Sequence, residues 1–303
     1  MSIFTILRAA ALLALWLLLL AAPALAAPPV LEIKDLKQPV ASGSSFTYAD
    51  LLRLVFPEPA AGQKEAPETP PVWSLSGSFK KQPLTARQDQ NYAGVLALPL
   101  KAQGRPFLLL LVHATGERAE EEGAAGEQPY NLLALFQTTP APKLLDLVDL
   151  GQGTNMEMIE GFWGKNPDNP LLDLTPGTQA CMIFQEHFNS SQSYLQIHLL
   201  WVRNQRLEEI LSVSPFGSKS LCETFRSKAV FWTEADQGRE FPKVAAKVTV
   251  KMEPSPKSED CQPRQRGFTK SYLGTWQWDP AQQKYRQSSG NLDQLYNFYD
   301  KYY

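Results

Sequence analysis

Val244-Ala245-Ala246-Lys247-Val248-Thr249-Val250-Lys251-Met252 is the stretch that decides the fold. Val244, Ala246, Val248, Val250 and Met252 fall on one side of an extended chain. Ala245, Lys247, Thr249 and Lys251 fall on the other. Alternation with a period of two, carried by β-branched residues, marks a strand. An apolar face opposed by a lysine-threonine face places that strand in an antiparallel sheet with one side against a core and one side wet.

The same pattern extends in both directions. Toward the C-terminus, a Pro/Ser/charge-rich loop over residues 253–267 leads into a hairpin of residues 268–278 and 284–287, turned at Asp279-Pro280-Ala281-Gln282. Asn291-Leu292-Asp293 then offers a cap for a short helix reaching Tyr303, with Leu292, Leu295, Tyr296 and Tyr299 as its apolar stripe. Toward the N-terminus come strand candidates over 228–233, 206–213, 193–202 and 180–187. The middle two are joined by Arg203-Asn204-Gln205. Residues 131–137 and 144–150 form another pair across a turn holding Pro140 and Pro142, and residues 92–100 and 107–114 form a third across Lys101 to Arg105. Phe107-Leu108-Leu109-Leu110-Leu111-Val112 does not alternate, which predicts a strand covered on both faces.

These readings predict an all-β class, built mostly of antiparallel hairpins in a sandwich-like or propeller-like body, with two short helices. The absence of a fixed repeat period weakens the propeller variant. The first of the helices is expected over 48–55, after the cap residues Ser44, Ser45 and Thr47, with Leu51, Leu52 and Val55 at helical spacing and Pro57 as its stop. The expected organisation is a signal peptide over 1–26, an N-terminal strand-and-helix appendage over 27–56, and a Pro-rich linker or loop over 57–71. A β-rich domain over 72–303 follows, closed by the short C-terminal helix. Pro57, Pro59, Pro67, Pro70 and Pro71 lie among Gly, Ala, Gln and Glu in the linker, a composition poor in groups that bury.

The leader is read from its three parts. Arg8 supplies the positive start, residues 9–22 are almost wholly apolar, and Pro23 precedes Ala24-Leu25-Ala26, the small-x-small pattern of a cleavage site. The apolar run is short for a membrane span, and no later stretch approaches that length, so no span is expected after processing. The predicted localisation is therefore exported, either periplasmic or secreted.

Composition excludes several function classes. Of 303 residues, 44% are hydrophobic and 20% charged, which is too apolar for a disordered chain. Lys and Arg number 29 against 31 Asp and Glu, so there is no polybasic footprint for nucleic acid. Three cysteines cannot staple a disulfide-dense scaffold, but export makes one bridge expected. Cys222 and Cys261 both sit in polar, turn-rich surroundings, whereas Cys181 opens the apolar run Cys-Met-Ile-Phe. Cys222–Cys261 is therefore the disulfide candidate, closing a loop of about 40 residues and contributing about 3–4 kcal/mol.

Catalytic signatures are missing. There is no Gly-x-Ser-x-Gly elbow, no phosphate loop and no His-Glu-x-x-His, and Met156 stands where a dinucleotide fingerprint from Gly151 needs glycine. Three histidines occur: His113, His187 and His198. Zinc would draw on Cys181, His187 and His198, which lack ligand spacing. Calcium would draw on Asn166, Asp168, Asn169 and Asp173, where turn formation explains the composition as well. No cofactor or metal is expected. Tyr272, Trp276 and Trp278 share one strand face and are the candidate binding aromatics, with core packing as the competing role. The expected function is an exported, non-enzymatic β-rich protein that binds a partner or ligand, an envelope protein or glycan, at the cell envelope. The alternative is a hydrolase of envelope or extracellular polymers, using carboxylates that the sequence does not identify; Glu157, Glu160 and Glu186, the acids near apolar strand ends, read as solvated edge positions.

Overall fold

Fourteen strands and a capped helix make up the regular structure of a computed structural model that describes residues 31–57, 72–74, 91–117, 127–150, 170–188, 193–214, 223–254, 267–295 and 297. The strands are β1 (Leu31–Glu32), β2 (Val72–Ser74), β3 (Asn91–Ala102), β4 (Arg105–Glu117), β5 (Glu127–Gln137), β6 (Lys143–Asp149) and β7 (Leu171–Thr175). They continue as β8 (Thr178–Phe188), β9 (Ser193–Arg203), β10 (Arg206–Val213), β11 (Glu223–Glu234), β12 (Lys243–Pro254), β13 (Phe268–Asp279) and β14 (Lys284–Gly290). The fold is all-β. Each of its three sheets is built on a four-strand antiparallel meander of consecutive strands, β3 to β6, β7 to β10 and β11 to β14. Two short additions extend the first sheet to six strands: β1 pairs antiparallel with β3, and β2 pairs parallel with β6.

The sheets stack as layers. The first touches the second where β3 meets β8 and β9 and where β6 meets β10; the second touches the third at β7–β11 and β10–β14. The middle sheet is correspondingly buried on both sides: Ala180 to Phe184 and Ile197 to Val202 are all enclosed. One apolar core runs through all three layers. It takes Leu98, Leu109 and Leu135 from the first sheet, Ile183 and Leu199 from the second, and Val244, Val248 and Trp276 from the third. In β4 the unbroken apolar run is buried from Phe107 through Val112, as the lack of alternation predicts.

The opposite face of the first sheet has its own core. Helix α1 (Tyr48–Val55) packs Tyr48, Leu51, Leu52 and Val55 against Ala97, Leu110, Ala134 and Phe136. Its start is fixed by a capping box. Thr47 Oγ1 accepts from the Asp50 amide at 3.3 Å, and the Asp50 carboxylate accepts from the Thr47 amide at 2.8 Å. The described part of the segment 27–56 thus lies directly on the sheet, while the expected leader over 1–26 and residues 58–71 of the expected linker fall outside the described residues.

Two connections are tighter than their sequences suggest. Gln103 and Gly104 take φ of 51° and 73°, and Asn204 and Gln205 take 51° and 63°, so each hairpin closes in two left-handed residues. Strand β7 was not anticipated from sequence: Leu171–Thr175 is only five residues, bounded by Pro170 and Pro176. At the far end, Gly290 has φ 118°, and Asn291 secures β13 twice. Its amide donates to Leu273 O at 2.8 Å, and its Oδ1 accepts from the Leu273 amide at 2.8 Å. A helical turn follows, burying Leu292 and Leu295; Tyr299 and the remainder of the expected helix lie outside the described residues.

Candidate functional site

The alternating strand β12 positions the chemistry of the third sheet. Its even-numbered residues from Val244 to Met252 face the core and Lys247, Thr249 and Lys251 face solvent, while Ala245 on that second side is buried, so the register sorts the paired side chains of β11 and β13 onto one side or the other. Tyr272 pairs with Val248 and Trp276 with Val244, which turns Tyr272, Trp276 and Trp278 inward; their exposures are 6%, 5% and 4%. Gly274 lies between them. A Cβ there would meet Leu292 Cδ1 at 2.2 Å, so the missing side chain is what lets Leu292 close over this face.

Trp278 joins an aromatic layer between the second and third sheets. Its ring centroid lies 5.1 Å from Trp201, 4.9 Å from Phe241 and 5.3 Å from Tyr285, all tilted or edge-on. Tyr285 Oη donates to Pro242 O at 3.0 Å, and burial pushes its phenol upward. The indole N–H groups of Trp201 and Trp278 and Arg203 Nε are buried with no hydrogen-bond partner among the described residues. The Arg203 guanidinium stacks 5.6 Å above the Trp201 ring and pairs with Glu208.

The histidines serve strand ties. His113 Nδ1 and Asn131 Oδ1 are 2.7 Å apart on opposed residues of β4 and β5, both buried. His198 Nδ1 lies 2.5 Å from Glu209 Oε1, and Glu209 Oε2 is 3.5 Å from Lys284 Nζ, so the group bridges the second and third sheets. The His198 hydrogen bond holds the Glu209 carboxyl below its ordinary range, against the desolvation that raises it, with Lys284 adding to the lowering. A buried carboxylate, Asp146, accepts the Leu207 amide at 2.8 Å and ties the first sheet to the second.

Cys181 and His198 do share a face, since Ile183 opposes His198 and Leu200 opposes Cys181. His187 is paired with Tyr194, four residues beyond Ile183 and about 13 Å away along the strand. Among the described residues no group of three or more His, Cys, Asp or Glu is placed to hold a metal ion. Cys181 is a free, buried thiol whose pKa burial pushes up to about 12, the setting of an inert core cysteine. Cys222, Cys261, Glu157, Glu160 and the oxygen-rich segment 166–169 lie outside the described residues; Asp173 sits in β7, accepting from Gln179 Nε2 at 2.9 Å.

The solvent face of the third sheet carries the residues that sequence reading passed over. Successive cross-strand rows place Arg226, Lys251 and Thr269 together, then Lys228, Thr249 and Ser271, then Val230, Lys247 and Leu273. Val230 is 47% exposed and Leu273 50%. Glu253 pairs with Lys251 at 2.6 Å and lies 3.9 Å from Arg226, and these two cations, Lys251 foremost, hold its carboxyl below the ordinary range. Among the described residues no carboxylate pairs with Lys228 or Lys247. No described helix is long and apolar enough to cross a membrane. In comparisons with known proteins, no family model matches the chain, and no curated protein or solved structure is found similar to it.

Proposed function

We propose that this chain is an exported, non-enzymatic binding protein of the cell envelope, periplasmic or secreted, that engages an envelope protein or glycan. The observation that carries the reading is the outer face of the third sheet. There an antiparallel surface combines Lys228 and Lys247, which no carboxylate among the described residues pairs, with two half-exposed aliphatic side chains on one row. Exposed aliphatic side chains flanking a lysine offer a partner both apolar area and charge, which suits recognition more than mere solvation. The leader over 1–26 supports export. The roles of the titratable groups support binding over hydrolysis: His113, His198 and Asp146 are each engaged in ties between strands or sheets.

The test is cross-linking of the tagged chain in the intact cells that make it, followed by fractionation. An adduct with one reproducible envelope component, in the fraction outside the inner membrane, is the expected result. A chain retained in the cytoplasm, or one that releases sugar or peptide fragments from purified envelope polymer, overturns the reading.

A further inference from the structure

Resting on that reading, we infer that the face centred on Val230, Lys247 and Leu273 is the docking surface, and that its occupant is a protein presenting clustered carboxylates beside an apolar side chain. Three physical features select this chemistry. The first is charge. Lys228 and Lys247 are diagonal neighbours on adjacent strands, about 7–8 Å apart, so one acidic segment reaches both cations at once. The whole chain has a formal charge of −2, so this positive face is local and does not reflect a basic composition.

The second feature is the apolar pair. Val230 and Leu273 stand on either side of Lys247 in one row, about 10 Å apart across two strand spacings. A purely electrostatic ligand, such as a sulfated or phosphorylated polymer, gains nothing from covering them. A protein side chain seated between them removes apolar area from water while its acidic neighbours reach Lys228 and Lys247. The third feature is extent. Strands β11, β12 and β13 are each 12 residues long, about 40 Å, and with β14 they span roughly 15 Å. That is about 600 Å², close to one side of a standard protein–protein interface.

The experiment places a photoreactive residue in the full chain, Ser271→p-benzoylphenylalanine, with Ser45→p-benzoylphenylalanine on the opposite layer as control, in the cells that make the protein. The expected result is one discrete protein adduct from position 271, whose cross-linked peptide carries at least two carboxylates beside an apolar residue. Its yield falls about tenfold with Lys228→Glu/Lys247→Glu and severalfold with Leu273→Ser, while urea midpoints of both variants match the parent. Because these side chains are exposed, the variants fold, and an unchanged midpoint separates docking from stability. Adducts only with lipid, with glycan or with a second copy overturn the inference, as does a protein adduct indifferent to charge reversal. If whole-chain cross-linking recovers an envelope partner while position 271 is silent, this surface fails and the binding function stands. If whole-chain cross-linking recovers no partner, the binding function itself fails.

Discussion

Replacing Gly290 by alanine tests how the third sheet is closed. At φ 118° the backbone lies in a region nearly restricted to glycine, and a side chain there costs about 1–3 kcal/mol. The added Cβ also meets Leu273 O at 2.2 Å, Gly274 Cα at 2.8 Å and Leu273 C at 2.9 Å. All three are backbone atoms of β13, so no rotamer change relieves the clash; β14 must part from β13 at the pair Gly274–Gly290. That strains both hydrogen bonds between Asn291 and Leu273, each contributing about 1 kcal/mol, and with them the docking of Leu292. The expected loss is about 3–5 kcal/mol. Gly238→Ala is the control: φ is 79°, but nothing lies within 4 Å of its added Cβ, so the loss is about 1 kcal/mol, conformational strain alone. Urea unfolding at pH 7, followed by tryptophan fluorescence, compares the two. Equal losses would refute the steric reasoning, and a Gly290→Ala loss under about 0.5 kcal/mol would refute the strain as well.

Three further outcomes are expected. Because Glu209 is held low in the folded chain, the stability it supplies is fully present above the ordinary glutamate pKa and is lost as pH falls through its folded value; the parent's urea midpoint therefore drops toward that of Glu209→Gln below about pH 4.5, and curves that stay parallel contradict the tie. Asp146→Ala strands the buried Leu207 amide and costs about 1–3 kcal/mol, read by the same denaturation; a change within error would mean that the first and second sheets do not depend on this bond. Iodoacetamide at pH 8 should leave Cys181 unlabelled in the folded chain and label it in urea, while non-reducing peptide mapping should recover Cys222 joined to Cys261; native labelling of Cys181, or a free Cys261, contradicts these assignments.

Much of the architecture was legible because single strands carry their own instructions. Val244 to Met252 alternates, and that alone implied an antiparallel sheet with one wet side. Thr47, among the cap residues of the segment 44–47, announced the start of α1 by local chemistry, whereas Asp50, which completes the capping box, was not singled out. Strand β7 escaped because its five residues, closed in by Pro170 and Pro176, are too short a run to separate a strand from a loop. Both hairpins at Gln103–Gly104 and Asn204–Gln205 were legible, but not their two-residue closure, because Gln103 and Gln205 adopt left-handed backbone without being the glycine or asparagine that signals it. The site was less legible still. Lys247, Val230 and Leu273 are far apart in sequence, and only the register of β12 between β11 and β13 makes them a row; a slip of one residue would bury the lysine. Trp201 and Trp278 likewise meet through packing between sheets, which no periodicity within a strand encodes.

Each meander uses consecutive strands, so every sheet can be completed from a contiguous length of chain before the next is made. Such local pairing favours rapid, vectorial assembly from the N-terminal end. It also dates a hazard. Until residues beyond β10 arrive, the middle sheet has one uncovered side, and Trp201 lacks the rings of Phe241 and Trp278. A chain arrested after β10 would be a finished pair of layers with an adhesive surface. The third sheet is thus both the bearer of the proposed recognition surface and the cover that closes this adhesive side of newly made copies.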